Sequence, residues 1–372
     1  MSRSHQLGTG LIHYTEAFCY RGYTLFCAGH PAKAYLIDMQ GRVCHTWSHE
    51  QGIAYAQLLP SGNLLGRATQ LPEVQGVRGL NGQSPCVFEL DWNSHVVWSF
   101  HDDWLHHDQH RCANGNTLLL AWRRMPKEVT ASVHGGMARA EDPAQMLGDI
   151  ILEVDPAGEI VKEWRSWEYL DPVKDAICPI DHRLEWTHAN SMSTTADGDW
   201  LVSFRRTNTV AAINPDSGEF VWQWGKGTLA HQHDAQMLGN GNLMVFDNGV
   251  HRFGEAEFSR VLEVDVERDE IVWRYQSNPP FHFYSFMAGS AERLPNGNTL
   301  ICDAAVGRFI EVRHDGEIVW EFVNPFYVNN PRLGGNINIT FKVHRYGPDH
   351  AALIDKNLDP AQFANLNRLY AS

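Results

Sequence analysis

Short apolar runs separated by polar turns recur along most of this chain, and five of the turns follow one pattern. They are Ser61-Gly62-Asn63-Leu64-Leu65, Asn114-Gly115-Asn116-Thr117-Leu118, Asp197-Gly198-Asp199-Trp200-Leu201, Asn240-Gly241-Asn242-Leu243-Met244 and Asn296-Gly297-Asn298-Thr299-Leu300. A Gly preceded by Asn, Asp or Ser supplies the backbone angles of a tight turn, and the apolar residues after it suit a buried strand. Each pattern therefore predicts a strand, a turn and a second strand. A second signal alternates with it, an apolar strand, a turn and a strand ending in tryptophan, as in Tyr35-Leu36-Ile37-Asp38-Met39-Gln40-Gly41 running on to Trp47. Its counterparts end at Trp98, Trp164, Trp222, Trp273 and Trp320, preceded by Val96-Val97, Ile160-Val161, Phe220-Val221, Ile271-Val272 and Ile318-Val319.

Successive tryptophans stand 47 to 66 residues apart, which matches a propeller blade of roughly 40–50 residues with insertions. The prediction is an all-β chain, a six-bladed β-propeller with four-stranded antiparallel blades around a central channel. One domain is expected over residues 1–372, with the blades at about 22–325. The first tryptophan unit lacks the glycine turn, although Tyr23 to Cys27 precedes it as an apolar strand. The 326–372 tail, where Ile337, Ile339, Phe341 and Val343 alternate, is expected to add a strand that closes the ring and removes an open edge. Residues 123–148 and 165–185 are too long for hairpin loops, so they are read as insertions projecting from one face, either as decoration or as a cap over the channel.

Composition narrows the partners. A formal net charge of −14 without a Lys/Arg cluster argues against nucleic acid and favours a small molecule. The first residues lead into no apolar run of signal-peptide length and nothing is long enough to span a bilayer, so the expectation is a cytoplasmic protein with no membrane partner. Seven cysteines lie far apart without a CxxC pair, which suggests small buried hydrophobes and no disulfide framework. The oligomeric state is left open.

Candidate chemistry comes from comparing repeats. Nine residues before the last residue of each turn triplet stand Ala54, His107, Asn190, His233 and Gly289, and one step later Tyr55, Asp108, Ser191, Asp234 and Ser290. His188 shares a strand face with Asn190. His107, His188, Asn190 and His233 are thus expected to converge on the channel from three consecutive blades. Arg205 ends the next strand of blade 4, where its fork of donors suits an oxyanion. Because neighbours on a strand face opposite ways, only one of Arg205 and Arg206 is expected to point inward, and His106 and His107 are expected to diverge. Asp108 and Asp234 either orient imidazoles or cap turns, and Asp247-Asn248-Gly249 reads as a strand-end turn. Tyr55, His282, Tyr284 and Ser290 complete a possible substrate-binding set, His282 and Tyr284 lying in an aromatic loop before blade 6.

The assembled segments Gly22-Tyr23-Thr24-Leu25-Phe26 with Tyr35-Leu36-Ile37-Asp38, His188-Ala189-Asn190-Ser191, Ser203-Phe204-Arg205, Gln232-His233-Asp234-Ala235, Phe246-Asp247-Asn248-Gly249 and Leu294-Pro295-Asn296-Gly297-Asn298-Thr299-Leu300-Ile301 resemble the bacterial arylsulfate sulfotransferase family. The resemblance implies transfer of a sulfuryl group from a phenolic sulfate to another phenol, with no cofactor. By motif it makes His233 the nucleophile, has His107, His188, Asn190 and Arg205 bind the sulfuryl oxygens, and leaves Ser290 as the candidate final-blade hydroxyl. The residues alone also permit a lyase or hydrolase of a small aromatic or oxygenated substrate. There the same histidines would act as acid and base, or His107, His188 and His233 would hold one divalent metal ion. A binding platform without catalysis would have no need for three imidazoles and an arginine directed at its axis. Arg205 disfavours a metal among those histidines by charge and favours an anionic substrate.

Overall fold

The computed structural model describes residues 8–69, 77, 79–139, 142 and 145–370. Six four-stranded antiparallel sheets form the blades of a six-bladed β-propeller. Blade 2 consists of Tyr55–Leu58, Leu64–Arg67, Cys86–Leu90 and Val96–His101; blade 3 of Leu105–Arg111, Thr117–Arg124, Leu147–Val154 and Ile160–Arg165. Blade 4 is Ala189–Thr194, Trp200–Phe204, Thr209–Ile213 and Phe220–Trp224, and blade 5 is His233–Met237, Leu243–Asp247, Arg260–Asp265 and Glu270–Tyr275. Blade 6, Ser290–Arg293, Thr299–Asp303, Arg308–Val312 and Ile318–Val323, gains Gly10–Tyr14 as a fifth strand. The five glycine turns each join a blade's first and second strands, and the six tryptophans lie on its fourth. Gly62, Gly115, Gly198, Gly241 and Gly297 have φ between 85° and 89°, which is why glycine recurs there.

Blade 1 explains its own missing turn. Its first strand is Val343–Tyr346, paired antiparallel with Tyr23–Ala28 and followed by Lys33–Ile37 and Val43–Trp47. The hairpin is assembled from distant parts of the sequence, so no loop joins its two strands. The closing strand starts where the alternating tail ends; Ile337 belongs instead to a small hairpin of Val328–Asn330 with Gly335–Ile337. Arg345 anchors the closure, donating to Thr24 Oγ1 at 2.7 Å and to Glu311 Oε2 at 3.1 Å while fully buried.

A side-chain clasp repeats within blades. The last Asn of the turn donates to a Glu on the third strand in Asn63–Glu89, Asn116–Glu153, Asn242–Glu263 and Asn298–Glu311, all at 2.6–2.7 Å. Blade 4 carries Asp199 at this turn position, and Ala212 stands opposite Leu201 where Glu153 stands opposite Leu118 in blade 3. The two changes go together, because two carboxylates at the clasp would repel.

Two compact units emerge: one of residues up to Thr69, Phe88–Val97 and Phe283 onward, the other of the remaining segment up to Val87 and Trp98–His282. In the first, Phe26, Phe309, Trp320 and Phe322 centre a core shared by blades 1 and 6. The second holds blades 3, 4 and 5. Its insertions contain the helices α1 (Lys127–Ser132) and α2 (Ser166–Tyr169), and Gly135–Met137 pairs in parallel with Ile177–His182. Met125, Val133, Met146, Leu170, Ile177 and Trp186 give the insertions a common core, so the two fold against each other. Among the described residues no helix is long and apolar enough to cross a membrane, and all seven cysteines are free thiols.

Candidate active site

Backbone geometry sets blades 3, 4 and 5 apart. Their first hairpins each carry a register shift near the start of the first strand, whereas those of blades 2 and 6 run without one. A bulge of this kind re-aims side chains. At or beside the shifts, His107, His188 and Asp234 have φ of 50°, 54° and 51°, and nearby His231 and His251 have 61° and 59°. Positive φ outside glycine is uncommon and costs of order 1–3 kcal/mol where a residue is poorly suited to it. Four histidines share it here.

The bulge corrects the expected divergence of His106 and His107. Their Nδ1 atoms lie 3.0 Å apart, with both rings buried. His106 stacks on Trp122 at 4.0 Å and places Nε2 3.2 Å from Asp149 Oδ1. Gly82 lies over the His107 ring so closely that an added Cβ would come within 2.4 Å of it. The His107 ring meets His188 edge to face, with centroids 4.5 Å apart.

His188 Nδ1 donates to Glu185 Oε1 at 2.8 Å. Burial pushes the His188 pKa down, so the ring is neutral near pH 7 although Glu185 pulls the other way. Burial acts to raise Glu185, but His188 and Arg206, whose Nη2 lies 3.1 Å away, hold the carboxyl well below its usual range. His233 Nδ1 pairs with Asn248 Oδ1 at 2.8 Å. The amide oxygen can only accept, so this nitrogen carries the proton and the lone pair of the neutral ring belongs to Nε2. Asn190 is fully buried; its Nδ2 donates to Gln232 O at 2.8 Å, and its Oδ1 has no hydrogen-bond partner among the described residues. That bond ties Ala189–Thr194, the strand that follows His188, to the residue preceding His233.

Arg205 and Arg206 occupy a short 3-10 helix, Arg205–Thr207, and not a strand, so alternation does not separate them. Both lie near Asp181 Oδ2, at 3.8 and 3.9 Å. Arg206 donates through Nη1 to the carbonyls of His182 and Glu185 and through Nη2 to the His182 ring, while its Nε has no hydrogen-bond partner among the described residues. Among the described residues the Arg205 guanidinium makes no hydrogen bond, and its charge persists because burial lowers its pKa only to about 10. A half-buried guanidinium that forms one long ion pair and no hydrogen bond among the described residues suits an anion.

The other candidates have different surroundings. Asp108 Oδ2 accepts from Met192 N at 3.0 Å, Ser191 Oγ from Ala235 N at 3.1 Å, and Ser290 Oγ from Val343 N at 3.3 Å. This position in the repeat thus laces the first strand of one blade to that of the next. Asp234 accepts from Gln236 Nε2 at 3.2 Å. Tyr55 places its hydroxyl 2.9 Å from His344 Nε2 and lies under Lys342, within the first unit. His282 is exposed and Tyr284 half-buried. Glu185, Asp181 and Asn248 are the residues that sequence reasoning missed. Asn248 was visible within Asp247-Asn248-Gly249, where Gly249 has φ of 76° and no room for a Cβ against Phe258 O.

The arylsulfotransferase (ASST) family matches this chain over residues 87–325. Arylsulfate sulfotransferase AssT of Lelliottia amnigena is 21% identical over 333 residues, 67% of this chain and 50% of that protein, so the chain spans about half the length of this curated relative. Among solved structures, a protein of unknown function from Bacteroides caccae has a TM-score of 0.56 at 14% identity, over 87% of this chain and 98% of the other. A functionally unknown protein from Desulfotomaculum acetoxidans has a TM-score of 0.50 at 8% identity, over 88% and 100%. These two likenesses are of fold. The family match extends over blades 3, 4 and 5 and every histidine and arginine of the site just described, and the chain belongs to the arylsulfotransferase family.

Proposed function

We propose that this protein moves a sulfuryl group from an aryl sulfate to a phenolic acceptor, with His233 as the nucleophile. The observation that carries the reading is the 2.8 Å bond between His233 Nδ1 and Asn248 Oδ1, which leaves the basic lone pair on Nε2. In the first half-reaction Nε2 attacks sulfur, the N–S bond forms, the S–O bond to the aryl group breaks and a phenolate leaves. The ring then holds the sulfuryl group as an N-sulfonated imidazolium. In the second half the acceptor oxygen attacks the same sulfur, the N–S bond breaks and the imidazole returns to its neutral form.

The remaining groups divide the work by charge. Arg205, unspent and cationic, stabilises the sulfuryl oxygens, and His107 and Asn190 contribute to their binding. His188, neutral and oriented through Nδ1 by Glu185, takes the proton of the acceptor phenol on Nε2. The net charge of −14 makes a cationic pocket the more discriminating for an anionic donor.

The test is acceptor-dependent release of 4-nitrophenolate from 4-nitrophenyl sulfate, followed by mass spectrometry of the quenched enzyme. Donor alone should leave a sulfuryl increment on the peptide containing His233, discharged by added phenol. His233→Ala should lose turnover by roughly a thousandfold or more. Undiminished turnover in that variant, or label on a different residue, would sink the assignment.

A further inference from the structure

A second cluster of ligating side chains lies beside the site without taking part in the chemistry above. Cys178, Asp181, His231 and His251 offer one sulfur, one carboxylate oxygen and two imidazole nitrogens, all within 4.8 Å of one another. Cys178 Sγ is 3.4 Å from His251 Nδ1, Asp181 Oδ2 is 2.8 Å from His231 Nε2, and Asp181 Oδ1 is 3.8 Å from His251 Nδ1. A tetrahedral zinc ion with ordinary bond lengths sets its ligands about 3.3–3.6 Å apart. The spacing therefore needs only small adjustments. By contrast, His107, His188 and His233 do not form such a group among the described residues.

We infer that Cys178, Asp181, His231 and His251 form a binding site for a zinc-class divalent metal ion. Ligand chemistry selects the ion: thiolate and imidazole suit Zn²⁺ or its neighbours, whereas Mg²⁺ and Ca²⁺ take oxygen sets. Thiolate and carboxylate together neutralise a dication, which makes Arg205 and Arg206 near Asp181 tolerable. His231 is buried and Cys178 and His251 are half-buried, so the ion has a route in.

The topology gives the ion a positioning role. Cys178 and Asp181 lie on Ile177–His182 in the second insertion, while His231 and His251 belong to blade 5's loops. His231 is two residues before His233, and His251 is three after Asn248. One ion would fasten the insertion to both flanks of the His233–Asn248 pair.

The test needs no substrate. The full chain, stripped with a chelator, is titrated with Co²⁺ and read by absorption, then challenged with Zn²⁺. The expected result is one equivalent per chain with a thiolate-to-cobalt band in the near ultraviolet, displaced by zinc. Cys178→Ser should abolish the band and weaken zinc binding by about tenfold or more, while Cys112→Ser retains both. Absence of a saturable band in the wild-type chain would overturn the site, leaving two hydrogen-bonded pairs. A band that survives in Cys178→Ser would do so equally, by locating the metal elsewhere. Because the readout is metal and not turnover, its failure is distinct from failure of the sulfuryl-transfer reading.

Discussion

Individual residues carry two kinds of burden, and Asn248 and Asp303 illustrate them. Asn248 fixes the tautomer of His233, so Asn248→Ala should lower kcat about 10–100-fold with little change in KM; steady-state kinetics with 4-nitrophenyl sulfate would measure it. Asp303 is different: burial pushes its pKa up to about 7, Arg308 offsets this only in part, and Oδ1 has no hydrogen-bond partner among the described residues. Its folded pKa is above the unfolded value of about 3.9. The folded protein therefore holds the extra proton, and this group's contribution, full below about pH 4, is lost as pH rises toward 7. Asp303→Asn should melt close to wild type at pH 4 and ~2–5 °C higher at pH 8. Equal melting points at both pH values would count against the raised pKa. The candidate histidines stand out because a repeat gives a register: His107, His188 and His233 lie at or beside comparable starts of strand. Glu185 and Asp181 were not, since they come from an insertion that has no counterpart in the other blades. Positive φ at histidine leaves no trace in the sequence pattern either.

Elements were read more easily than their exceptions. A glycine turn and an outer tryptophan mark the blades because both answer local demands, a backbone angle and a large apolar surface. The register shifts in blades 3, 4 and 5 answer a tertiary demand, so alternation misplaced His106 relative to His107; Arg205 and Arg206, read as strand residues, lie instead in the 3-10 helix that follows Trp200–Phe204. The clasp between turn Asn and third-strand Glu makes a prediction at this scale. Asn242→Asp sets a carboxylate against Glu263, whose partners include the Asn242 amide at 2.7 Å. We expect a loss of about 1–3 kcal/mol at pH 7 in urea unfolding, and recovery in the double variant that also carries Glu263→Ala. That double change copies the Asp199 and Ala212 arrangement of blade 4.

For the whole molecule, the decisive joint is the one that unites Tyr23–Ala28 with Val343–Tyr346. Arg345→Ala would leave Glu311 buried without its cation and should cost about 3–5 kcal/mol, measurable as a lower urea midpoint; Glu311→Gln tests the same pair from the other side. The joint also sets an order of events. Thr24 and Arg345, which bond each other, are 321 residues apart in the chain. At about 5–20 residues per second, a ribosome takes roughly 15–60 s to travel between them. During that interval every other blade can be complete while the edge of Tyr23–Ala28 stays open, so the newborn protein must be kept from foreign strands until Val343–Tyr346 emerges.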